Sequence, residues 1–196
     1  MGVLLLASCS LAQQPPTREQ TATEILYRGR YTNCDAAYAV MLPAGIVAHR
    51  DKSTAVNHGF TADLSAPGDT RPMSRTTNRY VEVSNLFNST GLRSLDDVAD
   101  DALRREAESR SDFDVVEHLP VKLAGLPAIH YRARFKNREK MVAEGIIAFR
   151  LGERGHPDFI YRLQLVSAEA AYPDDKRVFD RLTAGFRLQD FGAPCE

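Results

Sequence analysis

The stretch LAGLPAIHYRARFKNREKMVAEGIIAFRL, from Leu123 to Leu151, decides the fold. From Ala128 to Lys136 its residues alternate strictly: Ile129, Tyr131, Ala133 and Phe135 are apolar, and His130, Arg132, Arg134 and Lys136 between them are polar or basic. Because successive side chains of a strand point to opposite faces, this pattern predicts a strand with one apolar and one basic face. Asn137–Lys140 is polar and predicts a turn, and Met141–Leu151 returns with β-branched and aromatic residues. The stretch therefore predicts a long antiparallel β-hairpin.

Further strand-like segments lie on both sides of the hairpin. They are Asp35–Leu42, Val47–His49, Gly59–Leu64, Arg79–Phe87, Asp112–Leu119 and Phe159–Val166. Ser65–Asn78 is rich in Pro, Gly, Ser and Thr and predicts a long loop, which is either functional or mobile.

Two segments are predicted to be helices. In Ser94–Arg110, Ser94 is a good N-cap, and the apolar residues recur at the spacing of one helix face. A closing helix begins at Pro173 and is expected to end at Gly185 as its C-cap. The order of elements predicts the α+β class, with an antiparallel sheet of about six strands packed with two or more helices.

Length and composition indicate an ordinary globular chain. The 196 residues suit a leader over 1–12, a tether over 13–33 and a single α+β domain over 34–196. The formal net charge of −1 gives no bulk electrostatic case for nucleic acid. No apolar run is long enough to predict a membrane-spanning helix.

The N-terminus is typical of a secretory leader. Val3–Ala12 is a short apolar run that ends in small residues. Ser10-Leu11-Ala12 suits an ordinary signal peptidase, whereas Leu6-Ala7-Ser8-Cys9 resembles a lipobox in which Cys9 becomes lipidated. No Lys or Arg precedes the run, and a buried N-terminal strand is the structural alternative. We expect an exported protein, periplasmic or anchored to a membrane by lipid at Cys9.

The remaining cysteines, Cys34 and Cys195, form an even pair at opposite ends of the domain. In an oxidising compartment they are predicted to form a disulfide, and the alternative is two free thiols.

Four segments resemble the PsbP/Mog-like α/β sandwich family, which includes bacterial exported proteins and lipoproteins of unknown function. They are Ala39–Gly45 with its LPAG turn, SLDDVADDAL (Ser94–Leu103), LAGLPAIHYRARF (Leu123–Phe135) and FDRLTAGFRL (Phe179–Leu188). The resemblance spans Asp35 to Leu188, and its motifs are packing motifs. It implies a sandwich fold and a protein that binds partners and is not an enzyme.

No sequence motif supports catalysis or a cofactor. The five histidines, His49, His58, His118, His130 and His156, are scattered, without the spacing of a local metal site. The sequence has no nucleophile elbow and no phosphate-binding glycine loop. We therefore expect no catalytic residue, no metal and no cofactor.

One constellation predicts a binding platform on the sheet. His130, Arg132 and Arg134 share a face of one strand, Glu144 lies on the returning strand, and Arg162 and Gln164 lie on the next. Neighbouring strands are about 4.8 Å apart, so these six residues are expected to form one basic patch for an anion or an acidic partner. The alternative is a face on which Glu and Arg pair across strands.

Three functions remain. The first is an exported, non-enzymatic module, with or without a lipid anchor, that binds a protein partner in the cell envelope. The second is a carrier or sensor of a small anion that uses the basic face. The third is a hydrolase whose site is assembled only by tertiary structure; it requires a His within reach of a Ser or Cys and an acid.

Overall fold

In a computed structural model, residues 15–21, 24–52, 59–71, 78–89, 91–152 and 155–192 are described. The predicted leader, its lipidation site Cys9 and the predicted disulfide partner Cys195 lie outside these residues. Neither helix in the described part is long and apolar enough to cross a bilayer.

The described chain forms twelve strands and two helices in a mixed order. In sequence they are β1 (Thr17–Gln20), β2 (Glu24–Arg28), β3 (Arg30–Asn33), β4 (Tyr38–Met41), β5 (Ala48–Asp51), β6 (Phe60–Asp63), β7 (Tyr80–Phe87), α1 (Leu95–Ser109), β8 (Ser111–Leu123), β9 (Leu126–Lys136), β10 (Lys140–Arg150), β11 (Phe159–Ala168), α2 (Tyr172–Gly185) and β12 (Phe186–Leu188). Nine strands form a large antiparallel sheet in the order β1-β2-β5-β6-β7-β11-β10-β9-β8, and a small sheet has the order β12-β4-β3.

The α+β class is confirmed, but the predicted count of about six strands is too low. The additional strands are short: β12 has three residues, and β1 has four residues that are all exposed. Alternation over so few residues gives no usable signal. Three of the strands, β1 to β3, lie within the segment 13–33 that the sequence indicates as a tether, so its described part belongs to the sheets.

The predicted hairpin is confirmed as β9 and β10. The two strands pair antiparallel from Lys136 opposite Lys140 to Ala128 opposite Ala148. The next neighbour, β11, pairs along the whole length of β10. The hairpin and β11 thus supply three of the longest strands of the large sheet.

The two helices cover opposite faces of the large sheet. Helix α1 packs Val98 and Ala99 onto Ile129, Tyr131 and Ile147, and we call this side the α1 face. Its predicted cap is confirmed, because the Ser94 hydroxyl accepts a hydrogen bond of 3.1 Å from the Asp97 N–H. Helix α1 is therefore positioned by an apolar stripe and begins where the sequence indicates.

The opposite side, which we call the sandwich face, packs against α2 and the small sheet. The main core lies here and includes Leu163 and Leu165 of β11 and Phe179 and Leu182 of α2. Gly185 is the last residue of α2 and not its C-cap. A Cβ at this position would lie 2.8 Å from the carbonyl oxygen of Met41, so the glycine allows α2 to approach β4 closely.

Candidate binding sites

The six residues of the predicted platform do not form one patch. Arg132 and Glu144 are paired directly across β9 and β10, and Glu144 is also opposite the core residue Leu165. Arg162, by contrast, is opposite Ile147, which packs under α1. Because directly paired residues share a face, Arg132 and Glu144 lie on the sandwich face and Arg162 on the α1 face. The prediction of one continuous platform is wrong in this respect.

The remaining platform residues divide in the same way. His130 and Arg134 alternate with buried Tyr131 and Ala133 and lie on the sandwich face. Gln164 alternates with Leu165 and lies with Arg162 on the α1 face. The alternation of faces within each strand is therefore as predicted. The register between neighbouring strands differs from the prediction, because it places the platform residues of β11 on the face opposite to those of β9 and β10.

On the sandwich face, a hydrogen-bonded cluster surrounds the buried carboxylate of Glu144. Its Oε1 is 2.8 Å from Nε2 of His130, and its Oε2 accepts a hydrogen bond from the hydroxyl of Tyr172. The other ring nitrogen of His130 is 3.2 Å from Oε1 of Glu117. Lys176 of α2 lies 3.5 Å from Glu144. These contacts connect α2 to β9 and β10.

The environment of this cluster changes the pKa values of two members. Burial raises the pKa of Glu144, but hydrogen bonds from His130 and Tyr172 outweigh it, and the net pKa lies below the ordinary value. Burial, together with the hydrogen bond to the neighbouring carboxylate, raises the pKa of Tyr172. Glu144 is therefore a buried anion whose carboxylate oxygens are already hydrogen-bonded within the protein. This arrangement indicates a structural role.

The exposed arginines on this face are also paired. Arg132 donates to Glu117 at 2.9 Å, and Nε of Arg134 lies 3.9 Å from the carboxylate of Glu169. Cross-strand pairing of Glu and Arg is the alternative that the sequence left open. The arrangement gives little support to a free cationic platform, because neighbouring carboxylates offset its charge.

On the α1 face, Glu106 of α1 is the centre of a second buried network. Its carboxylate accepts hydrogen bonds from Arg162, from Arg110 at 2.6 Å and from Gln164 at 3.1 Å. Gln164 also donates to the hydroxyl of Tyr131 at 2.9 Å. Burial raises the pKa of Glu106, but the charges of Arg162 and Arg110 outweigh it, so its pKa lies below the ordinary value. This network holds α1 on the sheet.

A groove of about 200 Å³ opens beside this network, between α1 and the end of β7. Its floor includes Val98, Ala102, Ile147 and Ile160, and its rim includes Leu86, Phe87, Ser89, Asp101, Arg105 and Arg162. We call it the α1–β7 groove. Leu86 and Phe87 are 42% and 39% exposed, which is high for large apolar side chains. The sequence does not reveal this groove, because its pattern places β7 in the sheet without indicating which helix packs beside it.

Arg162 lies at the rim of the groove. Its guanidinium donates to Glu106 and to Gln164 at 2.5 Å. Its Nε is enclosed by protein atoms and has no hydrogen-bond acceptor among the described residues. The groove thus combines an apolar floor with a charged rim.

The described residues contain no arrangement typical of catalysis. His49 contacts Glu24 and the carbonyl of Asp69, and His130 contacts Glu117 and Glu144. Neither is hydrogen-bonded to a serine hydroxyl or a thiol in the part of the chain that the structure describes. The same part has no group of three or more His, Cys, Asp or Glu side chains that could hold a metal ion. The hydrolase alternative therefore gains no support here.

Comparison with solved structures shows the fold. The cyanobacterial PsbP protein CyanoP from Synechocystis has a TM-score of 0.53 and 14% identity, over 86% of this chain and 94% of that one. The Ran-binding protein Mog1p of Saccharomyces cerevisiae has a TM-score of 0.51 and 11% identity, over 90% and 97%. LpqN of Mycobacterium tuberculosis, involved in cell envelope biogenesis, has a TM-score of 0.47 and 9% identity, over 90% of each chain. That last score is too low to carry an argument.

No protein-family model matches the sequence, and no curated protein is significantly similar to it. At the identities found, the similarity concerns the fold alone. The predicted resemblance to the PsbP/Mog-like sandwich is confirmed at that level.

Proposed function

We propose that this PsbP/Mog-like protein is an exported, non-enzymatic module that binds a protein partner of the cell envelope through the α1–β7 groove. Export and a lipid anchor at Cys9 are supported by the leader-like sequence of residues 1–12. Partner binding is consistent with the fold, since the similar protein Mog1p is a Ran-binding protein.

The observation that carries the proposal is the composition of the groove. Protein interfaces have an apolar centre that receives one or two anchor side chains, surrounded by a polar rim. Here Val98 and Ile147 form a buried apolar floor, and Asp101 and Arg105 form a charged rim. Leu86 and Phe87 extend the apolar area to the protein surface. A partner that inserts an apolar side chain would fit this arrangement.

Site-specific photocrosslinking in intact cells tests the proposal. A photocrosslinking residue at exposed Ser89 on the groove rim is expected to capture one envelope protein, whereas the same residue at exposed Arg181 on α2 is not. Capture with equal efficiency from both positions would contradict a specific groove interface.

Matched leucine variants provide the control for the interface. Leu86→Asp is expected to abolish capture from Ser89, and Leu119→Asp, at a leucine 49% exposed on the edge strand β8, is expected to leave it unchanged. The double variant Arg132→Glu/Arg134→Glu examines the sandwich face. If this double variant no longer captures the partner and Leu86→Asp still does, the interface lies on the sandwich face and not at the groove.

A further inference from the structure

A second cleft, of about 570 Å³, lies at the β1 edge of the large sheet. It is lined by Pro16, Thr17, Arg18, Tyr27, Arg30, Thr32, Asn33, Cys34, Asp35 and Arg50. We call it the three-arginine cleft. Its volume is within the range of small-molecule sites, which is about 300–1,000 Å³.

The topology explains how distant arginines come together. Arg18 is paired with Tyr27 across β1 and β2, and Tyr27 is paired with Ala48, two residues before Arg50 on β5. These pairings place Arg18, Tyr27 and Arg50 on one face of the large sheet. Gly29, with a φ of 69°, is the single residue between β2 and β3 and lets the chain turn from the large sheet into the small one.

Strand β3 forms the opposite wall of the cleft. It is an edge strand of the small sheet, and Arg30 and Thr32 alternate with buried Tyr31 and Asn33. Their side chains therefore point away from the core and line the cleft. The cleft lies where the two sheets diverge, so strands of both sheets form its walls.

The charges of the cleft are not neutralised. Arg18, Arg30 and Arg50 form no ion pair or hydrogen bond with any residue in the described ranges, although the guanidinium carbon of Arg18 lies 5.8 Å from the centroid of the Tyr27 ring. Most other buried or half-buried arginines, such as Arg79 and Arg162, are paired with carboxylates. Asp35 is the one carboxylate among the lining residues. Arg30 and Arg50 are partly buried, so their charges are screened less than those of surface side chains.

We propose that the three-arginine cleft binds a small organic molecule through a phosphate monoester group. A guanidinium group presents planar N–H donors that match phosphate oxygens, and a monoester carries nearly two negative charges at neutral pH. Three guanidinium groups and one carboxylate give the cleft a net charge of about +2. This charge matches a phosphate dianion better than it matches a ligand with a single carboxylate. The cleft is larger than a phosphate ion, and Thr17 and Thr32 line the part of it that would receive the organic group. The site does not overlap the α1–β7 groove, so it is independent of the proposed partner.

Calorimetric titration of the full chain with phenyl phosphate, inorganic phosphate and benzoate tests this assignment. Phenyl phosphate is expected to bind more tightly than benzoate and to weaken as salt is added. In the variant Arg30→Gln/Arg50→Gln its affinity is expected to fall at least about tenfold, since two charge-assisted hydrogen-bond donors are lost. Equal binding of phenyl phosphate and benzoate, or no binding of phenyl phosphate, would overturn the proposal.

The control variant Arg28→Gln/Arg177→Gln removes the same charge from outside the cleft. Arg28 is paired with Glu19 and Arg177 with Asp174, and neither lines the cleft. The affinity of this control variant for phenyl phosphate is expected to equal that of the wild type. If the control loses as much affinity as Arg30→Gln/Arg50→Gln, only net charge matters and the proposed site is refuted. The melting temperature of Arg30→Gln/Arg50→Gln is expected to be equal or higher, because like charges no longer repel.

Vesicle binding distinguishes the two sources of a phosphate monoester. Co-sedimentation with phosphatidylcholine vesicles is measured with and without phosphatidic acid. Sedimentation that requires both phosphatidic acid and the two arginines would support the site with a lipid head group as its ligand. Absence of sedimentation, together with binding of phenyl phosphate, would support it with a soluble organic phosphate.

Discussion

Replacing Glu106 by alanine is expected to lower the free energy of unfolding by about 3 kcal/mol. The side chain is 10% exposed and accepts hydrogen bonds from Arg162, Arg110 and Gln164, which come from two elements, the end of α1 and strand β11. Alanine would remove the only carboxylate that contacts both guanidinium groups in the described chain. Two cations would then remain partly buried without a counter-charge.

The magnitude follows from the exposure of those two cations. Removing one partner of a buried ion pair costs about 3–5 kcal/mol. The lower end applies here, because the side chains of Arg162 and Arg110 retain 22% and 15% of their exposure and water can solvate them in part. The higher helix propensity of alanine offsets only a few tenths of a kcal/mol.

Urea denaturation followed by circular dichroism measures the change, with the slope m expected to be unchanged. Glu108→Ala is the matched control on the same helix. Its side chain is 62% exposed and paired with Arg104 at the surface, so its loss is expected to cost less than about 1 kcal/mol. If Glu106→Ala costs no more than Glu108→Ala, the reasoning that this network holds α1 on the sheet is wrong.

Two further predictions concern the interior of the sheet. A Cβ at Gly145 would lie 2.5 Å from Cε1 of Tyr131, so Gly145→Ala is expected to lower the free energy of unfolding by about 1–3 kcal/mol; an unchanged urea midpoint would contradict this. The pKa of Glu144 in the folded protein lies below its ordinary value, because hydrogen bonds from His130 and Tyr172 outweigh the effect of burial. Its stabilisation is therefore complete above the unfolded pKa of about 4.3 and is lost as the pH falls through the folded pKa. The stability difference between wild type and Glu144→Gln is expected to narrow as the pH falls below about 4.3, and a difference that does not change with pH would refute this prediction.

Much of the fold could be predicted from the sequence because its longest elements carry their own signals. Strict alternation over Ala128–Lys136 specified a strand, and it is buried on the side that the pattern indicates. The cap at Ser94 and the apolar spacing specified α1 nearly to the residue. Strand β1 contains no apolar residue and β12 has only three residues, so neither shows a usable alternation and the sheets are larger than expected.

The candidate sites were less predictable because they depend on which strand lies next to which, and in what register. The sequence pattern predicted that Glu144 and Arg162 lie on the same face of the sheet. Arg162 is instead paired with Ile147 and Glu144 with Leu165, so Glu144 and Arg162 lie on opposite faces. A shift of one residue reverses the face of every side chain, and periodicity within a strand contains no information on that shift. The α1–β7 groove and the three-arginine cleft likewise join residues that are far apart in the chain.

The sequence by itself determined the local structure: where the long strands and α1 lie, which face of each is apolar, and where the chain turns. These properties depend on interactions between residues that are close in the chain. Only the tertiary structure decided that Glu106 and Glu144 are buried and satisfied, and that Arg18, Arg30 and Arg50 share a cleft without an ion pair or hydrogen bond to any described residue. Which polar side chains are buried, and which charges pair, depends on contacts between distant segments, and no local pattern encodes those contacts.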